Sequence, residues 1–377
     1  MRILFAFPRL SYSGAPKMMS WIANQMAQRG HEVHFVTFFS EEQARVLHER
    51  VTFHSLNIHR SGSRLVRNTT EMLKAVCRLH KLIKQVSPDV MVSFLDSVGC
   101  VYLPIGRWLT NCRFVVSERA DPYARHGVTA RLLYSLMRFA HGIVFQTQGA
   151  QKFFGNNTAI FRCSTVIPNP VVVNDSVKRM QAMIPAVGER DHRIVTVGRL
   201  SLKQKRQDVL LEAFMLFRQS HRDYELVIYG DGPDKKRIQD LIDKMNMSDH
   251  VTLAGRTDEV EKAIFRSAAF VLTSDYEGIP NALIEALSLG VPSVSTDCSP
   301  GGAALLLRNE ENGFLVPRGD AAAIAEKLTV LVEQAAVAER FSRNGPFVAE
   351  RFAEAVIADK WETYFDDMMK RGGCQSE

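Results

Sequence analysis

The sequence has no Cys-x-x-Cys pair, no long apolar run and no glycine fingerprint after its first strand, and each absence closes a class of function. Its six cysteines (Cys77, Cys100, Cys112, Cys163, Cys298 and Cys374) are scattered without paired spacing. That usage fits a reducing cytosol and argues against a zinc site. The opening Met1-Arg2-Ile3-Leu4-Phe5-Ala6-Phe7-Pro8 is too short and too proline-interrupted for a signal peptide. The most apolar later window, Val98 to Ile105, is about half a membrane span, so no transmembrane helix is expected. No Gly-x-Gly-x-x-Gly follows the first strand, which leaves a dinucleotide dehydrogenase without support. Neither a short-period repeat nor a low-complexity run is apparent.

What is present is a soluble globular composition, 46% hydrophobic and 23% charged, in 377 residues. That length is too great for one ordinary core and fits two domains. The net charge of +6 hides an asymmetry. Residues 1–172 hold 21 Lys and Arg against 9 Asp and Glu, a net of +12, which leaves −6 for the remainder. Such a split is a cue for nucleic-acid or membrane contact by one half; the plainer alternative is a solvated basic surface.

Strand and helix patterns alternate along the first half. Ile3 to Phe7 is a short apolar run suited to a buried parallel strand. Pro16 then opens a helix with Met18, Met19, Ile22 and Met26 at helical spacing, and Gly30 closes it. Further strands are expected at Val33–Phe38, Val90–Phe94, Arg113–Ser117 and Ile143–Gln146. The pattern dissolves after Pro170, and residues 173–192 read as a linker. A second series follows, with strands at Ile194–Val197, Glu225–Tyr229, Val251–Leu253, Phe270–Thr273 and Pro292–Ser295. Helices are expected near 207–219, 234–246, 257–267 and 281–289. The expected fold is therefore α/β, with two Rossmann-like, doubly wound parallel-sheet domains (1–172 and 193–350) facing a cleft. A last amphipathic helix, in residues 351–377, has no strand after it and is expected to cross back to the first domain.

The most informative stretch runs from Ser274 to Glu285. Glu277 is followed by Gly278 and Pro280, residues that start a helix rather than continue one. Glu277 should therefore sit in a loop after a strand, and Glu285 over one turn into the next helix. A glycine loop before free helix N–H groups suits an anion. The flanking carboxylates suit hydroxyl donors, which suggests a sugar on one side of a diphosphate and a ribose on the other. Arg199 and Lys205 follow the strand ending at Gly198 and would neutralise a diphosphate. Gly230 and Gly232 form another glycine-rich strand end, permitting close backbone approach.

In this order, Gly198-Arg199, Lys205, Gly230-x-Gly232-Pro233, the Glu277-to-Glu285 element and Asn312-Gly313-Phe314-Leu315-Val316-Pro317 resemble glycosyltransferase family 4. These are retaining, nucleotide-sugar-dependent enzymes of the GT-B fold, and this chain is similar to the branch that builds bacterial surface polysaccharides and lipopolysaccharide. The resemblance extends to Arg29-Gly30-His31-Glu32-Val33 and Ile167-Pro168-Asn169-Pro170-Val171. It implies that Arg199 and Lys205 hold the donor diphosphate and that Glu277 touches sugar hydroxyls, near the backbone of Gly278, Ile279, Pro280 and Asn281. Ala282 and Leu283 continue that donor segment, and Glu285 would bind the ribose. The Ser13-Gly14-Ala15 loop would close over the phosphates, with base recognition near Gly255-Arg256. A UDP-sugar donor carrying a hexose or N-acetylhexosamine is expected. So are a lipid-linked or lipopolysaccharide-type acceptor and no metal or other cofactor, because Arg199, Lys205 and the helix N-terminus supply positive charge.

Relatives carry a histidine after a first-domain strand; here Ser117-Glu118-Arg119-Ala120-Asp121-Pro122 stands in its place. Glu118 and Arg119 either face the cleft and engage sugar or acceptor, or pair internally to hold the loop. His126 is a further candidate. Leu305 stands where relatives often have an acid. Arg60, Arg64, Arg67, Lys74, Arg78, Lys81 and Lys84 mark a basic amphipathic helix, with Leu73 and Val76 expected on its opposite, apolar face. Such a helix can lie on an anionic membrane surface, which gives an expected place at the cytoplasmic face of the cell membrane, with no nucleic acid. The alternative is a non-catalytic module of the same fold that binds anionic polymer or membrane.

Overall fold

The computed structural model describes residues 1–10, 14–39, 47–58, 64–95, 97–155, 157, 160, 164–171 and 175–370. Contacts divide the chain into two units, Met1–Asn169 with Ala355–Glu377, and Pro170–Glu354.

The first unit runs β1 (Arg2–Phe7), α1 (Gly14–Gln28), β2 (Glu32–Thr37), β3 (Val51–Ser55), α2 (Arg64–Val86) and β4 (Val90–Phe94). It continues with α3 (Ser97–Leu109), β5 (Arg113–Glu118), α4 (Val128–Leu136), β6 (Gly142–Phe145), α5 (Gln148–Phe153) and β7 (Ser164–Val166). Its strands order as β3-β2-β1-β4-β5-β6-β7, all parallel. β4 is buried along its whole length, as a central strand covered by helices on both faces must be.

The second unit runs α6 (Asp175–Gln181), β8 (Asp191–Val197), α7 (Leu202–Lys205), α8 (Gln207–Arg218), β9 (Glu225–Tyr229) and α9 (Lys235–Lys244). Then come β10 (Val251–Gly255), α10 (Val260–Ile264), β11 (Ser267–Leu272), α11 (Asn281–Ser288), β12 (Ser293–Thr296) and α12 (Gly302–Leu306). β13 (Phe314–Val316), α13 (Ala321–Glu333), α14 (Ala335–Asn344) and α15 (Phe347–Arg351) complete it. Its sheet, β10-β9-β8-β11-β12-β13, is again parallel. In each unit the strand order reverses beside the first strand, between β1 and β4 and between β8 and β11. Two doubly wound sheets are thus built on one plan.

The last helix, α16 (Glu354–Lys370), belongs to the first unit. It is fastened there by the Arg29-Gly30-His31 segment. Arg29 reaches both Glu362 at 2.5 Å and Asp359 at 2.6 Å, and His31 Nε2 lies 3.0 Å from Glu362 Oε1. Its own Trp361 and Phe365 side chains are fully buried.

Several expectations change. Residues 173–192 are not a bare linker, since α6 lies within them and they open the second unit. α1 starts at Gly14 rather than Pro16, because proline is tolerated in a first helical turn where the N–H has no partner to lose. β3, β7 and β13 have no counterpart in the sequence reading; the last two are three residues each, too short for a periodic signal. On α2 the buried stripe is Ala75, Val76, Leu79, Leu82, Ile83 and Val86. Leu73 is not part of that stripe but 65% exposed, beside Lys74. Arg78 is not a free surface cation, for its Nη1 donates to the carbonyls of Leu56 and Asn57. Arg60 lies outside the described residues.

Candidate active site

The reversal between β8 and β11 is where ligands of doubly wound sheets bind, outside the carboxyl ends of the strands. Both chain segments leaving that point carry charged groups. After β8 come Gly198, Arg199 and the single turn of α7, which ends at Lys205. After β11 comes the loop holding Glu277.

Lys205 and Glu277 meet there. Lys205 Nζ is 2.5 Å from Glu277 Oε1, with only 16% and 11% of the side chains exposed. The same carboxylate oxygen accepts from Ser274 Oγ at 2.7 Å, and the Glu277 N–H donates to the Ser299 carbonyl at 2.7 Å. The two segments are laced together around the pair. Thr273 Oγ1 donates to the Lys205 carbonyl at 2.7 Å, Gln204 Nε2 to the Tyr276 carbonyl at 3.2 Å, and the Asp275 N–H to the Gln204 carbonyl at 2.9 Å. Arg206 takes the left-handed conformation (φ 49°) between α7 and α8. It is held by Asp208 at 3.0 Å and Asp275 at 3.2 Å, and hydrogen bonding to Asp208, then Asp275, raises its pKa. Cys298, nearby, has its thiol pushed up to about 12, first by burial and then by the Glu277 charge; it stays protonated.

Close backbone approach explains two glycines. A Cβ on Gly230, which has φ +136°, would stand 1.8 Å from the Gly198 carbonyl oxygen. One on Gly302 would stand 1.8 Å from the Gly278 carbonyl oxygen. Gly198 itself lies under the Lys205 stem, whose Cε would be 3.1 Å from a Cβ there. Gly232 packs against the Leu200 backbone, so β8 and β9 end in one tight layer.

α11 starts at Asn281, and Pro280 at its cap position offers no side-chain hydrogen bond. The first turn of α11 follows the Gly278 loop directly, and helix N-termini attract anions. The Leu283 side chain is fully buried, and its N–H donates to the Pro280 carbonyl. The Ile279 side chain is likewise in the core. Glu285 is half-buried, one turn into α11. Arg199 is exposed and forms no ion pair among the described residues, while its carbonyl is fixed by Gln207 Nε2 at 2.9 Å. Arg256 is exposed and 3.5 Å from Asp231.

In the first unit, Gly14 is the first residue of α1, and Ser13 lies outside the described residues. Glu118 and Arg119 do not form a solvent-facing pair. Glu118 is buried, accepts from the Ala120 N–H at 2.9 Å and lies 3.7 Å from Arg125, not Arg119; burial raises its pKa. The Arg119 guanidinium stacks on Phe94 (5.0 Å) and on Trp361 of α16 (5.4 Å). It donates to the Ile167 carbonyl and to Asn169 Oδ1, and burial lowers its pKa to about 9, so it remains cationic at neutral pH. The pair holds the loop and the end of the unit. His126 is exposed and has no hydrogen-bond partner among the described residues.

Sequence reasoning missed Ser274, Arg206 and Asp275. Ser274-x-x-Glu277 has the spacing of a helix capping box, used here inside a loop, and that spacing was the available signal. Among the described residues no cluster of three metal-ligating side chains occurs, and no helix is long and apolar enough to cross a membrane.

Comparison with known proteins shows the family and the fold. A family model for "Glycosyl transferases group 1" matches residues 181–346, and one for a "Glycosyl transferase 4-like domain" matches residues 13–169. A lipopolysaccharide 1,6-galactosyltransferase of Escherichia coli is 34% identical over 255 residues, covering 66% of this chain and 67% of that protein. A Campylobacter jejuni protein is 23% identical over 363 residues, covering 96% and 97%. It is named GalNAc-alpha-(1->4)-GalNAc-alpha-(1->3)-diNAcBac-PP-undecaprenol alpha-1,4-N-acetyl-D-galactosaminyltransferase. The first curated relatives are covered unevenly, from 19% to 97% of their lengths. Anabaena HepE, solved in complex with UDP and glucose, superposes with a TM-score of 0.76 at 18% identity, over 97% of this chain and 99% of that one.

Proposed function

The chain belongs to the group 1 glycosyltransferases, with a family 4-like first unit and the GT-B fold, and from that premise we propose that it moves a hexose or N-acetylhexosamine from a UDP-sugar. The acceptor is a lipid-linked saccharide or a lipopolysaccharide- or capsule-type glycan, reached from the cytoplasmic face of the membrane. The observation that carries the donor half is the Lys205–Glu277 pair at the β8/β11 reversal. The acceptor half is supported by the names of the Campylobacter and Escherichia relatives, and the UDP preference by the ligand in HepE.

Each residue has a defined task in this reaction. Arg199 and Lys205 meet the diphosphate, with the N-terminal end of α11 adding its helix-dipole charge. Glu277 accepts hydrogen bonds from donor-sugar hydroxyls, and Glu285 from the ribose. The bond between the anomeric carbon and the phosphate oxygen breaks through an oxocarbenium-like state, and the diphosphate leaves with the electron pair. The acceptor oxygen bonds to that carbon on the same face, and its proton passes to the leaving phosphate. Fixed cations and a helix end suffice to stabilise the departing charge, so no metal step is assigned.

The test is mass-detected sugar release from a panel of UDP- and GDP-sugars. Turnover of one or more UDP-sugars, lost in Lys205→Ala with the fold intact, is expected. Absence of turnover and of nucleotide-dependent thermal stabilisation across the panel would sink the proposal.

A further inference from the structure

The second unit holds a cavity of about 650 Å³, lined by the turn that follows α12 and by the stretch running from the end of α14 through α15. Its volume suits a small ligand, and none of the residues assigned to the donor lines it. One short helix joins it to the donor loop. α12 begins at Gly302, whose Cβ position abuts the Gly278 backbone. Its five residues span about 7 Å, and the last of them, Leu306, is in the cavity wall.

That wall is held by its own hydrogen bonds. Buried Asn312 accepts the Arg308 N–H at 2.8 Å and donates to the Leu306 carbonyl at 3.2 Å. Asn344 Nδ2 reaches from α14 to the Glu311 carbonyl at 2.9 Å, and Arg351 Nη1 from α15 to the Leu305 carbonyl at 3.1 Å. A turn and two helices fixed in this way form a preorganised surface, which lowers the ordering cost of binding.

The lining selects a class of ligand. Phe347, in the first turn of α15, is 58% exposed at the cavity. Arg308, Glu311, Glu350 and Arg351 also line it and are exposed, two cations against two carboxylates with no net charge. Arg308 and Glu311 are 3.6 Å apart. A phosphate would meet the carboxylates and an ammonium ion the guanidinium groups, so neither sign of charge is favoured. Guanidinium groups only donate hydrogen bonds and carboxylates only accept them; a ligand with adjoining hydroxyls uses both at once. The face of an aromatic ring is its negative side and attracts C–H edges. A pyranose carries hydroxyls around its rim and C–H groups on its face.

We propose that this cavity is a second glycan site, which takes a neutral saccharide with one pyranose on the Phe347 ring and its hydroxyls shared among Arg308, Glu311 and Glu350. The choice of a glycan rests on the acceptor proposed above. The inference adds that a length of neutral glycan is held on the second unit, beyond α12 from the donor loop.

Ligand-detected NMR titration of the full chain with neutral tetramers of glucose, galactose, N-acetylglucosamine and N-acetylgalactosamine tests this. At least one tetramer should bind, and saturating UDP should leave its affinity unchanged. Phe347→Ala should weaken it about three- to tenfold, the scale of one ring-face contact, while Phe347→Trp keeps it. UDP-sugar hydrolysis without tetramer should be the same in wild type and both variants. No binding by any tetramer, binding that UDP displaces, or binding indifferent to Phe347 would each overturn the inference. So would tighter binding of a sulfated tetramer than of its neutral parent, which would mark an anion site. A Phe347-dependent dimer that binds no tetramer would give the face to a second copy and overturn it too. Donor turnover by a protein that binds no tetramer would sink this inference alone. Tetramer binding without any donor turnover would keep the site and sink the donor reading.

Discussion

Lys205 Nζ and Glu277 Oε1 are 2.5 Å apart across the β8/β11 reversal, and Ser274 Oγ shares the same carboxylate oxygen. The lysine is neutralised by the very group that the proposal assigns to the sugar. On that proposal a diphosphate would compete for the lysine and free the carboxylate to accept sugar hydroxyls, so that opening the pair and engaging the two ends of the donor would be one event.

Removing one partner should affect chemistry far more than folding. Lys205→Ala should lower transfer by about 10²–10³, the scale for losing a charge-stabilising group in a transition state. It also leaves Glu277 half-buried with Ser274 as its side-chain donor, costing about 1–3 kcal/mol. Thermal melts and donor turnover measured on the same preparation separate the two effects.

The Gly302–Gly278 approach should control donor binding. Gly302→Ala would press a methyl group onto the Gly278 carbonyl and move the loop that presents Glu277. A raised donor KM with at least about 1–3 kcal/mol of destabilisation is expected. Gly188→Ala is the control: nothing lies within 4 Å of its Cβ position, and stability should change by less than ~0.5 kcal/mol. Equal behaviour of the two variants would contradict the packing argument.

Acid should loosen α16. Burial alone would raise the Glu362 pKa, but hydrogen bonds from Arg29 and His31 outweigh it and leave it lowered. A carboxylate with a depressed folded-state pKa contributes stability above its unfolded value and loses it as pH falls through the folded one. Part of the stability present above about pH 4.5 should therefore disappear on further acidification. Glu362→Gln should be less stable at neutral pH and flatten that acid limb, as denaturant melts across pH would record.

Arg119 should behave as a structural plate. Arg119→Ala removes stacking on Phe94 and Trp361 and two hydrogen bonds, so about 2–4 kcal/mol of stability should go. Arg119→Lys should not restore it, because an ammonium lacks the planar fork. The donor KM of the folded fraction should stay unchanged; a large rise would return Arg119 to the binding machinery.

The parts of the fold legible in the sequence were those with strong periodicity. β4 and β9 fall at the residues expected, because each is a short apolar run bounded by turn-formers. β3 was hidden, since an edge strand with one buried residue in five gives no apolar run. The Glu277 loop was legible because Gly278 and Pro280 break helix continuity, and Lys205 because it follows Gly198. Ser274, Arg206 and Asp275 were not, since their roles depend on α7 and the β11 loop lying side by side. Glu118 and Arg119 show the same limit: sequence placed them at the end of a strand, and only packing revealed Trp361 and Arg125 as their partners.

Calorimetric titration of UDP and of the UDP-sugar that the donor panel selects, into wild type, Lys205→Ala and Glu277→Ala, tests the central claim most directly. UDP affinity should fall about tenfold or more in Lys205→Ala, the scale of one charge-assisted contact. In Glu277→Ala it should hold or rise, since the lysine is freed from its carboxylate. The extra affinity contributed by the sugar should vanish in Glu277→Ala alone. UDP binding that is indifferent to Lys205, or a sugar increment that survives loss of Glu277, would contradict the assignment of this pair to the two ends of the donor.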